Sequence, residues 1–233
     1  YMKFSVVIPL YNEEKNIQPL IEEVIKALSK YKFKYEIILV NDFSKDKTLN
    51  IIKAISNKYD FIKNISNKKN LGQSFSIIKG IKNSKYNTIV TLDGDGQNNP
   101  YDIPVLIDYY FKNKDIYLVG GLRKNRKDIL IKKVSSKIAN KIRNFFLNDE
   151  CEDTGCSLKV FDKDTFLKFP EFKGLHRFLP AFFKHHNKRM FFINVDHRRR
   201  EEGKSNYGTI DRLVYGIVDL IRVFKIVNKI KND

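Results

Sequence analysis

Residues 3–8 read KFSVVI, residues 13–31 read EEKNIQPLIEEVIKALSKY, and residues 36–40 read EIILV. The two short runs are rich in β-branched residues and predict strands Lys3–Ile8 and Glu36–Val40. The segment Glu13–Tyr31 repeats apolar residues at helical spacing, which predicts an amphipathic helix. A helix that joins two neighbouring strands makes those strands parallel. This stretch therefore predicts an α/β fold.

The same alternation continues outward along the chain. Further predicted strands are Phe61–Ile65, Thr88–Leu92 and Tyr117–Gly120, and further predicted helices are Thr48–Lys58, Gln73–Asn83 and Ile103–Lys112. The pattern favours a mainly parallel sheet flanked by helices. Ligands of such sheets bind beyond the carboxyl ends of the strands. Four segments are therefore candidates for a binding site: Pro9–Glu14, Asn41–Lys47, Asn70–Gln73 and Asp93–Pro100.

The second half of the chain is less regular. It predicts helices over Ile129–Leu147, Leu175–His186 and from Thr209 onward, and strands at Ser157–Phe161 and Met190–Val195. Two stretches, Ile129–Phe146 and Ile210–Ile230, interleave apolar residues with Lys and Arg, a composition suited to lying on an anionic bilayer. There is an alternative to membrane binding for each stretch. The first could be a solvated basic helix face, and the second could pack its apolar residues in the core.

Composition limits the class of protein. The chain has 233 residues with 44 Lys and Arg against 27 Asp and Glu, a net charge of +17, which suits one soluble-type domain with anionic partners. Three classes of anionic partner have to be distinguished: nucleic acid, phosphorylated metabolites and an acidic membrane surface. Cys151 and Cys156 lack the spacing of a disulfide framework or a zinc site, so reduced thiols in the cytoplasm are expected. The sequence has neither a visible secretion signal nor an apolar run long enough to span a membrane.

Two carboxylates follow the predicted strand Thr88–Leu92 directly. Asp93 and Asp95 alternate with glycines, which allow a sharp turn and a close approach of the backbone to a ligand. Hard oxygen ligands at that position suit Mg²⁺ or Mn²⁺ bridging to a diphosphate. A polar turn that uses Asp and Gly only for their conformations is the alternative.

Polar residues also follow the first two strands. Asn12 can cap the following helix, with Glu13 and Glu14 in its first turn, and Ser44 or Asp46 can cap the next helix. Because capping explains these residues as well as ligand binding does, local chemistry leaves open which carboxylate contacts a ligand.

Seven motifs occur together in this order: VVIPLYNEE, IILVNDFSKDKT, KNLGQS, TLDGDGQNNP, GLRKNR, EDTGCSLKVF and RREEGKSNYG. Their order and spacing resemble those of family-2 glycosyltransferases with the GT-A fold, and more narrowly polyprenyl-phosphate glycosyltransferases. The resemblance covers roughly residues 3–210. It implies a Rossmann-like, mostly parallel sheet flanked by helices, with a catalytic domain at residues 1–208. Residues 209–233 would form an amphipathic, basic, membrane-peripheral C-terminal helix.

The resemblance also implies roles for individual residues. Nucleotide binding falls on Pro9, Tyr11, Glu13, Asp42 and Asp93, metal binding on Asp93, Asp95 and Gln97, and acceptor-phosphate binding on Arg123, Lys132 and Ser136. Asp95 and Asp153 are the catalytic candidates, and Arg200 would contact the diphosphate. Where relatives usually have Gly-x-Ser-Lys-Tyr, this chain has Asn206 in place of the lysine, and Lys204 is the candidate to supply its charge.

The implied activity is inverting transfer of a sugar from a nucleotide-diphosphate donor to a polyprenyl phosphate, with Mg²⁺ or Mn²⁺ as cofactor. A UDP-sugar is favoured as the donor and GDP-mannose is possible. The expected location is cytoplasmic, peripheral on the inner face of the cytoplasmic membrane. One alternative is a family-2 enzyme with a soluble or glycan acceptor, which would need a base. Another is a basic nucleic-acid-binding protein, which the scattered aromatic residues disfavour, so nucleic acid is not an expected partner.

Overall fold

The computed structural model describes residues 2–124, 141–198 and 209–232. Within this part of the chain one sheet is flanked by helices on both faces. The strands are β1 (Lys3–Leu10), β2 (Lys34–Asn41), β3 (Ile62–Ser66), β4 (Thr88–Thr91), β5 (Ile116–Lys124), β6 (Lys159–Asp162) and β7 (Arg189–Asp196). The helices are α1 (Ile17–Ser29), α2 (Thr48–Lys58), α3 (Gln73–Lys82), α4 (Ile103–Lys112), α5 (residues 141–147), α6 (Lys163–Phe166), α7 (Leu179–His185) and α8 (Thr209–Asn232). Short 3₁₀ turns lie at Pro100–Asp102 and Leu175–Arg177.

The strand order is β3-β2-β1-β4-β6-β5-β7. Strand β6 is antiparallel to β4 and β5, and the other described pairs are parallel. The predicted mostly parallel sheet with flanking helices is therefore confirmed. From β1 the chain extends the sheet first through β2 and β3 and then on the other side through β4. The carboxyl ends of β1 and β4 consequently form a switch point, where such sheets bind ligands.

The sheet is buried on both faces, which explains the continuous apolar runs of its central strands. On one face Val6 and Ile8 of β1 pack with α1, α2 and α4. On the other face Val7 of β1 packs in a cluster that includes α3, α7 and α8. The helices packed on each face hold the strands in place. The carboxyl ends of the strands are therefore held in fixed positions.

Several element boundaries differ from the sequence prediction. Strand β1 extends through Pro9 and Leu10, and β5 extends to Lys124, because each continues to pair with a long neighbouring strand. Helix α1 begins at Ile17 and not at Glu13.

The predicted helix cap at Asn12 is wrong. Its backbone adopts a left-handed φ of 55°, and its Oδ1 accepts a hydrogen bond from the backbone of Lys45 in the next loop, 2.8 Å away. At the second loop the N-cap residue of α2 is Lys47, and neither Ser44 nor Asp46 occupies that position. Asp46 lies one residue earlier, and its Oδ1 accepts a hydrogen bond from the Thr48 N–H at 3.0 Å. Long-range pairing between loops has replaced local capping at Asn12.

The apolar stripe of α8 is divided between core and surface. Val223 and Val227 are fully buried in the α7 side of the core, whereas Val218 and Ile221 are about half exposed. Of the predicted helix Ile129–Leu147, residues 141–147 are helical and the rest lies outside the described residues. None of the helices in the described ranges has a stretch long and apolar enough to cross a membrane.

Candidate active site

A cleft of about 410 Å³ lies at the carboxyl ends of β1, β2 and β4, at the switch point of the sheet. It is lined by six of the residues predicted from the sequence: Pro9, Tyr11, Glu13, Asp42, Asp93 and Asp95. Asn70, Gln73 and Lys173 also line it, although no individual role was predicted for them. The fold thus gathers side chains from five separate segments of the chain into one polar cleft.

Asp93 and Asp95 crowd two carboxylates at this site. Burial, and then the neighbouring charge of Asp95, raise the pKa of Asp93 to about 6. The Gln73 side chain donates a hydrogen bond to Asp93 Oδ1 at 2.7 Å. A divalent cation would relieve the repulsion between the two carboxylates, and Mg²⁺ or Mn²⁺ could complete its oxygen shell with ligand phosphates and water.

The described residues contain no group of three or more His, Cys, Asp or Glu side chains that could hold a metal ion unaided. The Asp93–Asp95 pair therefore fits a metal that is shared with a phosphorylated ligand. It does not fit a closed structural site made entirely of protein groups.

Two glycines make the Asp93–Gln97 turn possible. A Cβ at Gly94 would lie 2.4 Å from Leu10 Cδ2, and Gly96 has a φ of +73°, which side-chain-bearing residues rarely adopt. Gln97 itself does not line the described cleft. Its side chain donates to the carbonyl of Arg198 at 3.4 Å, so metal binding by Gln97 stays a prediction.

Asp42 organises one wall of the cleft. Its carboxylate accepts hydrogen bonds from the backbone N–H groups of Leu71 and Gly72, at 2.8 and 2.7 Å, and from the Asn67 side chain at 2.7 Å. These bonds hold the loop that precedes α3, and that loop carries Asn70 into the cleft. Asp42 therefore shapes the cleft in addition to lining it.

The loops after β1 and β2 are bonded to each other. The Asn12 N–H donates to Ser44 Oγ at 3.0 Å, the Lys45 N–H donates to Asn12 Oδ1 at 2.8 Å, and the Lys47 N–H donates to Glu14 Oε2 at 2.9 Å. Because each loop satisfies polar groups of the other, this wall of the cleft is held without a ligand.

Arg123 and Asp153 form a two-pronged ion pair near the cleft. Arg123 Nε lies 2.7 Å from Asp153 Oδ2, and Nη2 lies 2.6 Å from Oδ1. Both side chains are largely buried, and the charge of Arg123 opposes the rise in the pKa of Asp93. Arg123 was predicted to bind the acceptor and Asp153 to lie at the reaction centre. The structure joins them in one ion pair.

Three basic residues that the sequence prediction missed lie beside Asp93. Lys159, His176 and Arg177 line a smaller cavity of about 110 Å³, which shares Gln73 and Asp93 with the cleft. Lys159 stands in the apolar run SLKVF, and a lysine within an otherwise buried strand is the signal that could have revealed it. His176 and Arg177 carry no comparable local signal.

Four predicted site residues cannot be placed relative to this geometry. Lys132 and Ser136, predicted for the acceptor phosphate, and Arg200 and Lys204, predicted for the diphosphate, lie outside the described residues.

The seven-stranded mixed sheet with this cleft is a GT-A-like fold. Similar solved structures include glucosyl-3-phosphoglycerate synthase from Mycobacterium tuberculosis, with a TM-score of 0.71 and 18% identity over 97% of this chain and 80% of that chain. Mannosyl-3-phosphoglycerate synthase from Rubrobacter xylanophilus has a TM-score of 0.72 and 11% identity over 95% of this chain and 73% of that one. At these identities the likeness concerns the fold alone.

The chain belongs to glycosyl transferase family 2, whose sequence profile matches residues 5–169. A similar relative is dodecaprenyl-phosphate galacturonate synthase from Rhizobium johnstonii, 34% identical over 95% of this chain and 66% of the relative. Another is undecaprenyl-phosphate 4-deoxy-4-formamido-L-arabinose transferase from Pectobacterium atrosepticum, 32% identical over 93% of this chain and 66% of the relative. The chain thus spans just under two thirds of the length of each relative.

Proposed function

We propose that this protein transfers a sugar from a nucleotide-diphosphate donor to a polyprenyl phosphate, with inversion at the anomeric carbon. The observation that carries the proposal is the pair Asp93 and Asp95 in a polar cleft at the switch point of a family-2 sheet. The names of the two relatives, which specify polyprenyl-phosphate sugar transfer, support the acceptor class. Those names specify different sugars, so they do not select one for this chain.

The donor end of the reaction would use the cleft. Pro9, Tyr11, Glu13 and Asp42 would contact the nucleoside, and Asp93 and Asp95 would hold a Mg²⁺ or Mn²⁺ ion with the diphosphate. The ion would stabilise the negative charge of the leaving nucleoside diphosphate. A UDP-sugar is the favoured donor, and the neighbour crystallised with Mn²⁺ and uridine diphosphate supports that choice.

The acceptor end would lie toward Arg123 and Asp153. An acceptor phosphate oxygen attacks the anomeric carbon, the bond from that carbon to the diphosphate oxygen breaks, and its electron pair leaves with the nucleoside diphosphate. The acceptor is already an anion at neutral pH, so no base has to remove a proton. The role of Asp153 would then be to orient the Arg123 guanidinium, to which it is hydrogen-bonded, toward the acceptor phosphate. Lys132 and Ser136 would add further contacts to the acceptor phosphate, and Arg200 and Lys204 would assist the diphosphate.

We also propose that the protein binds the inner face of the cytoplasmic membrane through an exposed apolar patch. The patch consists of Ile142, Phe145 and Phe146 of α5 and Val218, Ile221 and Phe224 of α8. The rings of Phe146 and Phe224 meet edge to face, 5.8 Å between centroids, so the two helices present one surface. Exposed Lys141, Arg222 and Lys225 accompany it, which favours an anionic bilayer over a neutral partner.

The direct test is a transfer assay with the purified chain, Mg²⁺ or Mn²⁺, and a set of nucleotide sugars. The acceptors are undecaprenyl phosphate in anionic vesicles, 3-phosphoglycerate, and water alone. We expect mass spectrometry to find a lipid-extractable sugar phosphate. A sugar on 3-phosphoglycerate, or release of free sugar without a lipid product, would overturn the proposed acceptor. A gel-shift with DNA and RNA checks the nucleic-acid alternative, for which we expect no discrete complex.

A further inference from the structure

The cavity beside Asp93 has a wall of basic residues that the proposed transfer does not yet use. It adjoins the cleft through Gln73 and Asp93, so a sugar attached to a diphosphate held at Asp93 and Asp95 would lie next to it. Its charged and ionisable lining includes Lys159, His176 and Arg177. Asp93 is the one carboxylate among the described residues that line this cavity.

Lys159 is an unusual residue to find at this depth. It lies in β6, an interior strand of the sheet, and is 3% exposed, and the one described hydrogen bond of its ammonium group is to the backbone carbonyl of Cys156. A buried ammonium is costly unless anionic or polar groups surround it. An ammonium group has three donors, so the described contact leaves donor capacity at the cavity wall.

Arg177 has one partner and one unmet donor. Its Nη2 pairs with Asp219 of α8 at 2.6 Å, but its buried Nε–H has no hydrogen-bond partner among the described residues. Buried donors of this kind are rare in folded proteins and call for an explanation, of which a ligand is one.

His176 lies on the same wall. Its Nδ1 is 2.6 Å from Ser74 Oγ, which also accepts a hydrogen bond from the Gly174 N–H at 2.9 Å. Burial, and then the nearby cations Arg177 and Lys159, lower the pKa of His176 to about 3, which keeps the ring neutral. The cavity wall therefore offers two cations and a neutral imidazole ring.

We propose that this cavity receives the transferred sugar and that Lys159 and Arg177 select donors whose sugar carries a carboxylate, as in a uronic acid. The proposal rests on the proposed function and names its substrate class. A carboxylate can accept charge-assisted hydrogen bonds from Lys159 and from the unmet Nε–H of Arg177, whereas a neutral hydroxymethyl group accepts fewer and weaker ones. A divalent ion held by Asp93 and Asp95 would offset the negative charge of Asp93 and so would reduce its repulsion of the carboxylate.

The test compares donors that differ in one group. UDP-glucuronate and UDP-galacturonate are assayed against UDP-glucose and UDP-galactose, with GDP-mannose as a further neutral donor and undecaprenyl phosphate as acceptor. We expect kcat/KM to favour a uronate over its matched hexose by about tenfold or more, the effect of a charge-assisted hydrogen bond. Equal or faster transfer from a neutral sugar overturns this inference and leaves the proposed function standing. Transfer from none of the donors overturns both.

Variants assign the preference to these residues. Lys159→Gln should remove most of the preference for the uronate, whereas Lys159→Arg, which keeps the charge, should retain it. Arg177→Gln gives an independent reading if Lys159→Gln fails to fold, and Lys168→Gln, an exposed lysine outside the cavity, is the matched control. A folded Lys159→Gln or Arg177→Gln variant that loses activity on uronate and hexose donors equally would assign these residues a general role and contradict selection.

Discussion

The Asp153 carboxylate accepts hydrogen bonds from both the side chain and the backbone N–H of Arg123, so β5 and the loop before β6 are fixed to each other at this point. The pair is largely buried, and the charge of either partner is compensated by the other. Removing one partner takes the ion pair away from a side chain that is largely buried. The two residues must therefore be tested together.

We expect Arg123→Ala and Asp153→Ala each to lower the free energy of unfolding by about 3 kcal/mol, and the double variant to lower it by little more than either alone. Denaturant unfolding measures all three. The exposed pair Lys112 and Asp108 is the control and should contribute less than about 1 kcal/mol. Additive losses would contradict the coupling.

In the same variants, the acceptor role can be separated from donor binding. Arg123→Ala should weaken use of the lipid phosphate by about tenfold to a hundredfold while nucleotide affinity stays nearly unchanged. Calorimetric titration with UDP measures the second quantity. A comparable loss of nucleotide affinity would assign Arg123 to the donor site.

The proposed metal gives a second prediction. Asp95→Asn should abolish transfer, because a neutral amide is a poorer ligand for a hard divalent cation than a carboxylate. Asp108→Asn, at an exposed position of α4, should leave the rate unchanged. Full activity of the unmodified protein in excess chelator would show that no divalent ion takes part.

Asp93 gives a pH dependence. Its folded pKa of about 6 lies above the ordinary value of 3.8, so the folded state holds this proton more tightly than the unfolded chain does. The charged carboxylate therefore destabilises the metal-free protein above that pKa, and the penalty fades as the pH falls through about 6 toward 4. Asp93→Asn carries no charge, so in chelator it should raise the melting temperature more at about pH 7.5 than at about pH 5. An equal shift at both pH values would contradict the raised pKa.

Membrane binding can be tested at the apolar patch. Replacing Phe145, which is 84% exposed, and Phe146 by Ser should release the protein from anionic vesicles in co-sedimentation without unfolding it. The control is Val105→Ser, because Val105 is 53% exposed on α4, at the opposite face of the sheet. Binding should also weaken between about 0.1 M and about 1 M salt as charge attraction is screened. Retention of the folded double variant on the vesicles would exclude the patch as the binding surface.

Gly94 lies where the Asp93–Gln97 turn contacts the end of β1. Gly94→Ala would bring a methyl group against the buried Leu10 and close to the Pro9 carbonyl, and we expect it to lower the free energy of unfolding by about 1–3 kcal/mol and weaken UDP binding. Gly216→Ala is the matched control because its Cβ meets nothing within 4 Å, and there we expect a gain of up to about 1 kcal/mol from helix propensity. Tolerance of Ala at position 94 would contradict the close approach.

The sequence alone was sufficient for the order of strands and helices in the first half, because buried parallel strands and amphipathic helices leave distinct apolar patterns. It also identified the segments that line the cleft, since these follow the strands directly. It could not pair Arg123 with Asp153 or bring Lys159 beside His176, because the antiparallel insertion of β6 creates those neighbours. Asn12 failed as a cap because its partner, the backbone N–H of Lys45, lies 33 residues away in the loop after β2.

The mutual bonds between the loops after β1 and β2 have a kinetic consequence. Because Asn12 and Ser44 are already hydrogen-bonded to each other, the nucleotide of the proposed donor would not have to organise this wall when it binds. Little conformational entropy is lost there on binding. Binding of the nucleotide to the loops after β1 and β2 should then proceed in one step. Its rate should be governed by diffusion and by the attraction of a +17 protein for a multiply charged anion.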